Sequence, residues 1–407
     1  MLEFPKSRLA RSAALAAALS VALATGAARA QTPGVSKTEI RLGQSMPYSG
    51  NASAYGVVGK ATAAYFEKVN KEQGGINGRK ISFLSLDDGY SPPKTVEMTR
   101  KLVEQEDVLA IVGTLGTPTN TAIHRYLNSK KIPHLFVTTG ATKWADPKNF
   151  PYTMPGMAAY QTEAAIYGRY LRATRPDAKV AVLYQNDDFG KDYVTGFKKG
   201  LGEAAQKMII AEQSYEVTDA TIDSQMVALK GSGADALFAV VLGKFVPQVI
   251  RQAHDTGWKP RDFIVPTSAT SVKAFLQPAG LDKATGLITS SAVKSVSDPQ
   301  WDNDAGMIEY RKFLAEYLPA MDPFDSSMVT GYNTAMLMVQ ILKQCGEDLS
   351  RENVIRQAAN LKDFVLPMLL PGIKVSTGPD DYLPYQTLRM QRFDGKIWAV
   401  FGEPITE

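Results

Sequence analysis

The sequence predicts an α/β protein made of two similar halves, and three observations carry that prediction. Short β-rich runs alternate with longer helical runs through most of the 407 residues, the order expected of parallel sheets covered by helices. The runs near 108 and 236 are continuously apolar, as strands buried on both faces require. The series occurs twice, once over 38–155 and again over 178–288, although the two stretches are too divergent to count as a sequence repeat. No Ser/Gly or Pro-rich linker parts them, so the halves are expected to be coupled by strands that cross between them.

The N-terminus stands apart. MLEFPKSRLAR carries Lys6, Arg8 and Arg11, Ser12 to Ala28 is free of charge and rich in Ala, Leu and Val, and a small-x-small ARA ends at Ala30. This pattern reads as a secretory signal peptide over residues 1–30, and the apolar run is too short and Ala-rich to read as a membrane anchor. The segment holds Lys6, Arg8, Arg11 and Arg29 against Glu3, net +3 of the chain's +4, which leaves about +1 for the remainder. A nearly neutral exported chain has no basic stripe for nucleic acid or an anionic membrane. No second apolar run reaches spanning length, and no cysteine follows the cleavage site to take a lipid. The expectation is a soluble periplasmic protein without a direct membrane anchor. Cys345, the sole cysteine, excludes an intrachain disulfide and reads as a buried small hydrophobe.

Strands are predicted at 40–46, 80–86, 108–112 and 132–137, then at 179–184, 208–215, 236–242, 262–267 and 285–293. Helices fill the gaps at 56–73, 93–106, 119–129, 160–174, 189–205, 221–231 and 245–256. The first ends at Gly74-Gly75, a stop signal, and the second opens on prolines and places Val96, Thr99 and Val103 on one side. Helices at 301–318, 326–345 and 350–360 follow, and the chain closes with two strands joined at Asp394-Gly395, a hairpin signal.

Ligands of open α/β sheets bind beyond the carboxyl ends of strands, so the loops there are the candidates. PYSGNASAYG (47–56) can bend close to a ligand and offer Tyr48 or Tyr55 as a wall; a flexible surface turn explains it equally well. GTLGTPTN (113–120) follows the apolar strand, and its Thr117-Pro118 reads as a helix start whose free N–H groups suit a carboxylate or phosphate. A cap whose hydroxyl serves only its own helix is the commoner meaning of a lone Thr-Pro. Here VTTGAT follows the next strand and adds the hydroxyls of Thr138, Thr139 and Thr142 to the same end of the sheet. Asp187 and Asp188, in QNDDFG after another strand, admit a metal or acid/base role, but a turn and helix start is the simpler reading.

Enzyme signatures are missing. There is no G-x-S-x-G, H-E-x-x-H, Walker loop or strand-following G-x-G-x-x-G, and His124, His134 and His254 sit in no recognisable motif. No metal and no cofactor is expected.

Taken in order, PYSGNASAYG, NKEQGGINGRK, DDGYSPPKTV, VGTLGTPTN, IPHLFVTTGAT and VLYQNDDFGKDY resemble the type I periplasmic solute-binding proteins of ABC importers, in their leucine/isoleucine/valine-binding branch. The resemblance covers nearly the whole chain after residue 30. It implies two Rossmann-like lobes with parallel sheets joined by a three-strand hinge, clamping a ligand between them. Lobe 1 is expected over 36–155 with 289–386, and lobe 2 over 156–288 with 387–407. It implies that Tyr55 walls the side-chain pocket, that Thr117 and the loop Thr139 to Thr142, Ala141 included, hold the ligand carboxylate, and that Phe189 and Leu242 close over it. Two departures stand out. Leu242 replaces the family's tyrosine, and Thr267 occupies the place of an acid that pairs with a ligand ammonium. Without that acid, an uncharged or purely anionic ligand is favoured, unless Asp187, Asp188 or Glu216 enters the cleft and supplies the charge instead. The function implied is a receptor that delivers a small organic acid or amino-acid-like molecule to a membrane ABC permease. A sensory receptor of the same fold is a second class that the sequence does not separate from the first. A periplasmic enzyme in the same cleft is disfavoured by the missing catalytic constellation.

Overall fold

The computed structural model describes Met1 and residues 32–406; the predicted export segment otherwise lies outside the described residues. The first sheet has the order β2-β1-β3-β4-β5, formed by β1 (Glu39–Met46), β2 (Lys80–Asp87), β3 (Ala110–Val112), β4 (His134–Val137) and β5 (Thr153–Pro155). All of its pairs are parallel. The connections are α1 (Gly56–Gln73), α2 (Pro92–Arg100) and α3 (Thr117–Ser129). β3 is wholly buried, which is why its sequence is apolar without alternation.

The chain then builds a second sheet of seven strands. These are β6 (Val180–Gln185), β7 (Ile209–Tyr215), β8 (Ala236–Val240), β9 (Asp262–Ile264), β10 (Ile288–Ser291), β11 (Thr387–Phe393) and β12 (Trp398–Thr406). Their order is β12-β11-β10-β9-β8-β6-β7. The five inner and far-edge strands pair in parallel, whereas β11 runs antiparallel to both β10 and β12. The Asp394 carboxylate accepts the N–H groups of Lys396 and Ile397 at 2.8 Å each and sets the turn of the β11–β12 hairpin. Helices α4 (Tyr160–Thr174), α5 (Asp188–Leu201), α6 (Asp223–Gly231) and α7 (Phe245–Asp255) belong to this half.

Between β10 and β11 the chain returns to the first lobe as α8 (Ala305–Tyr317), α9 (Ser327–Cys345) and α10 (Arg351–Ala358). There α9 lies along α1, with the Thr62 hydroxyl donating to both Val58 O and Gly331 O. The passages between the sheets follow Pro155, Ser291 and Gln386. At the second passage β10 stays paired with Arg389–Arg392 through Ser291. Cys345 is buried, and that burial pushes its thiol up to about 12.

Candidate ligand-binding site

A cavity lies between the two lobes at the carboxyl ends of the strands. Its first-lobe wall begins where β3 ends. Gly116 adopts φ +103°, a conformation that side chains disfavour, and a Cβ there would overlap the Tyr90 ring. The kink lets α3 start at once. Thr117 is therefore the first helical residue rather than the cap, Pro118 follows it, and no side chain caps the helix. The Thr117 hydroxyl instead pairs with the Thr139 hydroxyl at 2.7 Å. Thr139 also accepts the indole N–H of Trp144 at 3.3 Å, and the Tyr160 hydroxyl reaches both threonines. Burial pushes the Tyr160 phenol up to about 12, so it stays a proton donor. Three hydroxyls thus converge on the positive end of a helix, a neutral arrangement suited to a carboxylate.

Of the residues singled out from sequence, Tyr55, Thr117, Thr138, Phe189, Leu242 and Thr267 line this cavity together. Thr139, Ala141 and Thr142 do not. Thr139 is fully buried behind Thr117, and Ala141 is buried beside it. The Thr142 N–H donates to the Asp192 carboxylate on α5 at 2.6 Å, so this residue joins the lobes rather than facing the cavity. Neighbours in one loop point in different directions, which its composition cannot reveal. Tyr55 is more than a wall. Its hydroxyl donates to Ser268 O at 2.9 Å and accepts the Gly243 N–H at 3.3 Å, both in the second lobe. Asp187 caps α5 by accepting the Gly190 N–H at 3.2 Å, and Asp188 meets Lys143 of the first lobe at 2.5 Å. This leaves Phe189 at the start of α5, edge-on to Tyr160 with ring centroids 5.3 Å apart.

Two features of the site were missed in the sequence. The first is Glu163, on the first turn of α4, which lines the cavity although it is only 2 % exposed. Its carboxylate accepts the Thr267 N–H at 2.9 Å, the Thr267 hydroxyl at 3.0 Å and the Tyr167 hydroxyl at 2.7 Å. Burial raises its pKa, opposed by these donors. The expectation that Thr267 leaves this corner of the site without an acid is therefore corrected: Thr267 is the hydrogen-bond donor that holds one. The second feature is a face of α9, where Ser327, Thr330, Asn333, Thr334 and Leu337 recur at helical spacing toward the cavity.

Among the described lining residues there is no Lys, Arg or His. His124 packs against Trp144 and Phe150, and its pKa falls to about 4; His134, fully buried, falls to about 3. Burial is the first cause of both shifts, and both rings are neutral at pH 7. Among the described residues no group of three or more His, Cys, Asp or Glu side chains is placed to hold a metal, and no helix is long and apolar enough to cross a membrane.

Residues 39–396, which hold the first sheet, all of the second sheet except β12, and the cavity between them, match the family model of the periplasmic binding proteins. The chain belongs to that family. A curated relative is Leu/Ile/Val-binding protein homolog 8 of Brucella abortus, 23% identical over 414 residues that cover 98% of this chain and 96% of the relative. Among solved structures, a branched-chain amino acid ABC transporter protein from Thermus thermophilus with bound valine superposes with a TM-score of 0.80 at 17% identity, covering 92% of this chain and 98% of that one. A solute-binding protein of an ABC transporter from R. palustris in complex with benzoate gives 0.75 at 22% identity, covering 91% and 98%. These relatives are binding proteins, not enzymes. Periplasmic binding proteins take small molecules and work with ABC transporters, and the two-lobed cavity of this family member has the matching architecture.

Proposed function

We propose that this chain is an exported, soluble receptor that closes on a small carboxylate, either an organic acid or an amino-acid-like molecule, and hands it to a membrane ABC importer. The observation that carries the reading is the Thr117–Thr139 hydroxyl pair at the start of α3, in an interlobe cavity without a lining cation among the described residues. Such a site neutralises a carboxylate with N–H and O–H donors and a helix dipole, and leaves the rest of the cavity to read the ligand body. Valine and benzoate, held by two proteins of this fold, differ in body shape and in the presence of an ammonium, and both carry a carboxylate. The leader-like residues 1–30 support export.

The test is a thermal-shift and calorimetric comparison of carboxylates with matched alcohols, such as benzoate with benzyl alcohol and leucine with leucinol. A ligand at 100 times its dissociation constant raises stability by about 2.7 kcal/mol. The acids are expected to bind and the alcohols to fail. Thr117→Val keeps the shape but removes one donor to a charged group, which lowers affinity for the acids by roughly tenfold to a hundredfold. Equal binding of acid and alcohol would reject the proposal.

A further inference from the structure

The carboxylate pole accounts for one end of the cavity and leaves the α9 face unexplained. Most of this helix is core: Met328, Val329, Tyr332, Ala335 and Met338 are all buried. Its cavity face is nevertheless polar, with Ser327, Thr330, Asn333 and Thr334 one helical turn apart. Asn333 is 9% exposed, and its Oδ1 has no hydrogen-bond partner within the protein. From the other lobe, the Ser268 hydroxyl also lines the cavity, is buried and has no partner. Buried polar atoms are nearly always satisfied, and Asn333 and Ser268 are the two cavity-lining residues among the described ones with a buried polar atom left without a protein partner, so a ligand in the cavity is placed to supply it.

We propose that the α9 face is a second recognition subsite, and that the ligand carries, besides its carboxylate, an uncharged hydrogen-bonding group, a hydroxyl or a carboxamide, that meets Asn333. This rests on the carboxylate reading above and narrows it. The chemistry selects a neutral group. A carboxamide both donates and accepts, as do a hydroxyl and another amide, so the match survives either orientation of the Asn333 side chain. A second carboxylate finds no lining cation among the described residues and shares the cavity with Glu163. A purely apolar ligand body leaves Asn333 unpaired on closure, and sites built to hydrogen-bond a substrate reject analogues that lack the group.

The experiment is calorimetry on the purified protein with two matched pairs. Benzoate and 4-hydroxybenzoate differ by a distal hydroxyl; leucine and asparagine have similar shape, with a carboxamide in place of the isopropyl group. On the wild type, the polar member of the tighter-binding pair is expected to bind at least about tenfold more tightly than its apolar partner. In Asn333→Leu that ratio is expected to fall to near one while the apolar partner keeps its affinity. Thr330→Val, one turn away on the same face, is expected to reduce the ratio less and serves as a second variant should the first fail to fold. Equal or tighter binding of the apolar member in both pairs on the wild type overturns the inference, as does a preference that survives Asn333→Leu. Binding without preference defeats the α9 subsite alone, because water then satisfies Asn333. Failure of all four acids to bind defeats the carboxylate reading and this inference with it.

Discussion

At the scale of single residues, Glu163 carries the most consequence. It is a buried carboxylate at a ligand cavity, and it accepts hydrogen bonds from the Thr267 N–H, the Thr267 hydroxyl and the Tyr167 hydroxyl, all neutral donors. Its folded pKa is raised, first by burial. The sign follows from proton linkage: a folded state that holds its proton more tightly than the unfolded chain is favoured at low pH. Glu163 thus adds stability below the ordinary glutamate range, and that contribution is lost as pH rises through the higher folded value. Glu163→Gln mimics the protonated form. The ligand-free variant is expected to melt higher than the wild type at pH 7 and to show a smaller fall in melting temperature between pH 5 and pH 8. A ligand ammonium reverses the balance by supplying the missing positive charge. Relative to its deaminated analogue 4-methylpentanoate, leucine is expected to lose roughly tenfold to a hundredfold in affinity on Glu163→Gln, the range for a hydrogen bond to a charged group. An unchanged ratio of the two affinities would mean that Glu163 serves only its own lobe.

At the scale of elements, α3 was the most legible part of the site and α9 the least. Gly-Thr-Pro after a continuously apolar strand is a local signal, and the helix does begin there. What the local signal misplaced was the cap, because only the tertiary position of Thr139 draws the Thr117 hydroxyl away from its own helix. The polar residues of α9 and the lone Glu163 of α4 look in sequence like solvent-facing residues; packing against another lobe is what turns them toward a cavity. β10 ends where pairing with a strand about a hundred residues later ends, so its boundary is equally invisible to a local reading. The sheets and their helices were legible because alternation of apolar strands and amphipathic helices is repeated through the chain. The α3 start also yields a prediction. Gly116→Ala forces a side chain onto φ +103° and against Tyr90, at a cost of about 1–3 kcal/mol. Thermal denaturation is expected to show that loss, and calorimetry a further loss of carboxylate affinity as Thr117 shifts. A variant with wild-type melting and wild-type binding would show that the kink does not position the helix.

At the scale of the whole molecule, the lobes are held together by two kinds of tie, and their burial decides which one matters. At the rim, Lys143 meets Asp188 at 2.5 Å, but the two side chains are 31% and 53% exposed. Exposed pairs of this kind contribute about 0–1 kcal/mol. Inside, Tyr55 is 5% exposed, and its hydroxyl exchanges hydrogen bonds with Ser268 O and the Gly243 N–H of the opposite lobe. Nearer the surface, the exposed Asn51 side chain donates to Val217 O at 3.1 Å, and Asn51 O accepts the Lys244 N–H at 3.3 Å. Gly243, at φ +56°, is where the two backbones come so close that a Cβ would overlap Asn51 O. Opening the lobes breaks all of these at once and returns the groups to water, so a ligand that contacts both lobes shifts the balance toward the closed form. Tyr55→Phe keeps the ring against Phe275 and removes only the cross-lobe hydroxyl. The closed form is expected to lose about 1–2 kcal/mol, read as a roughly fivefold to thirtyfold weaker affinity that lies mainly in faster dissociation. Lys143→Met is expected to change affinity by less than about threefold, because its partner is exposed. Small-angle scattering checks the mechanism directly. The radius of gyration of the wild type should fall on adding a carboxylate ligand, and the Tyr55→Phe protein should need more ligand to reach the same value. A variant that binds more weakly yet closes at the same ligand concentration as the wild type would place Tyr55 in the pocket wall alone and remove it from the closing mechanism.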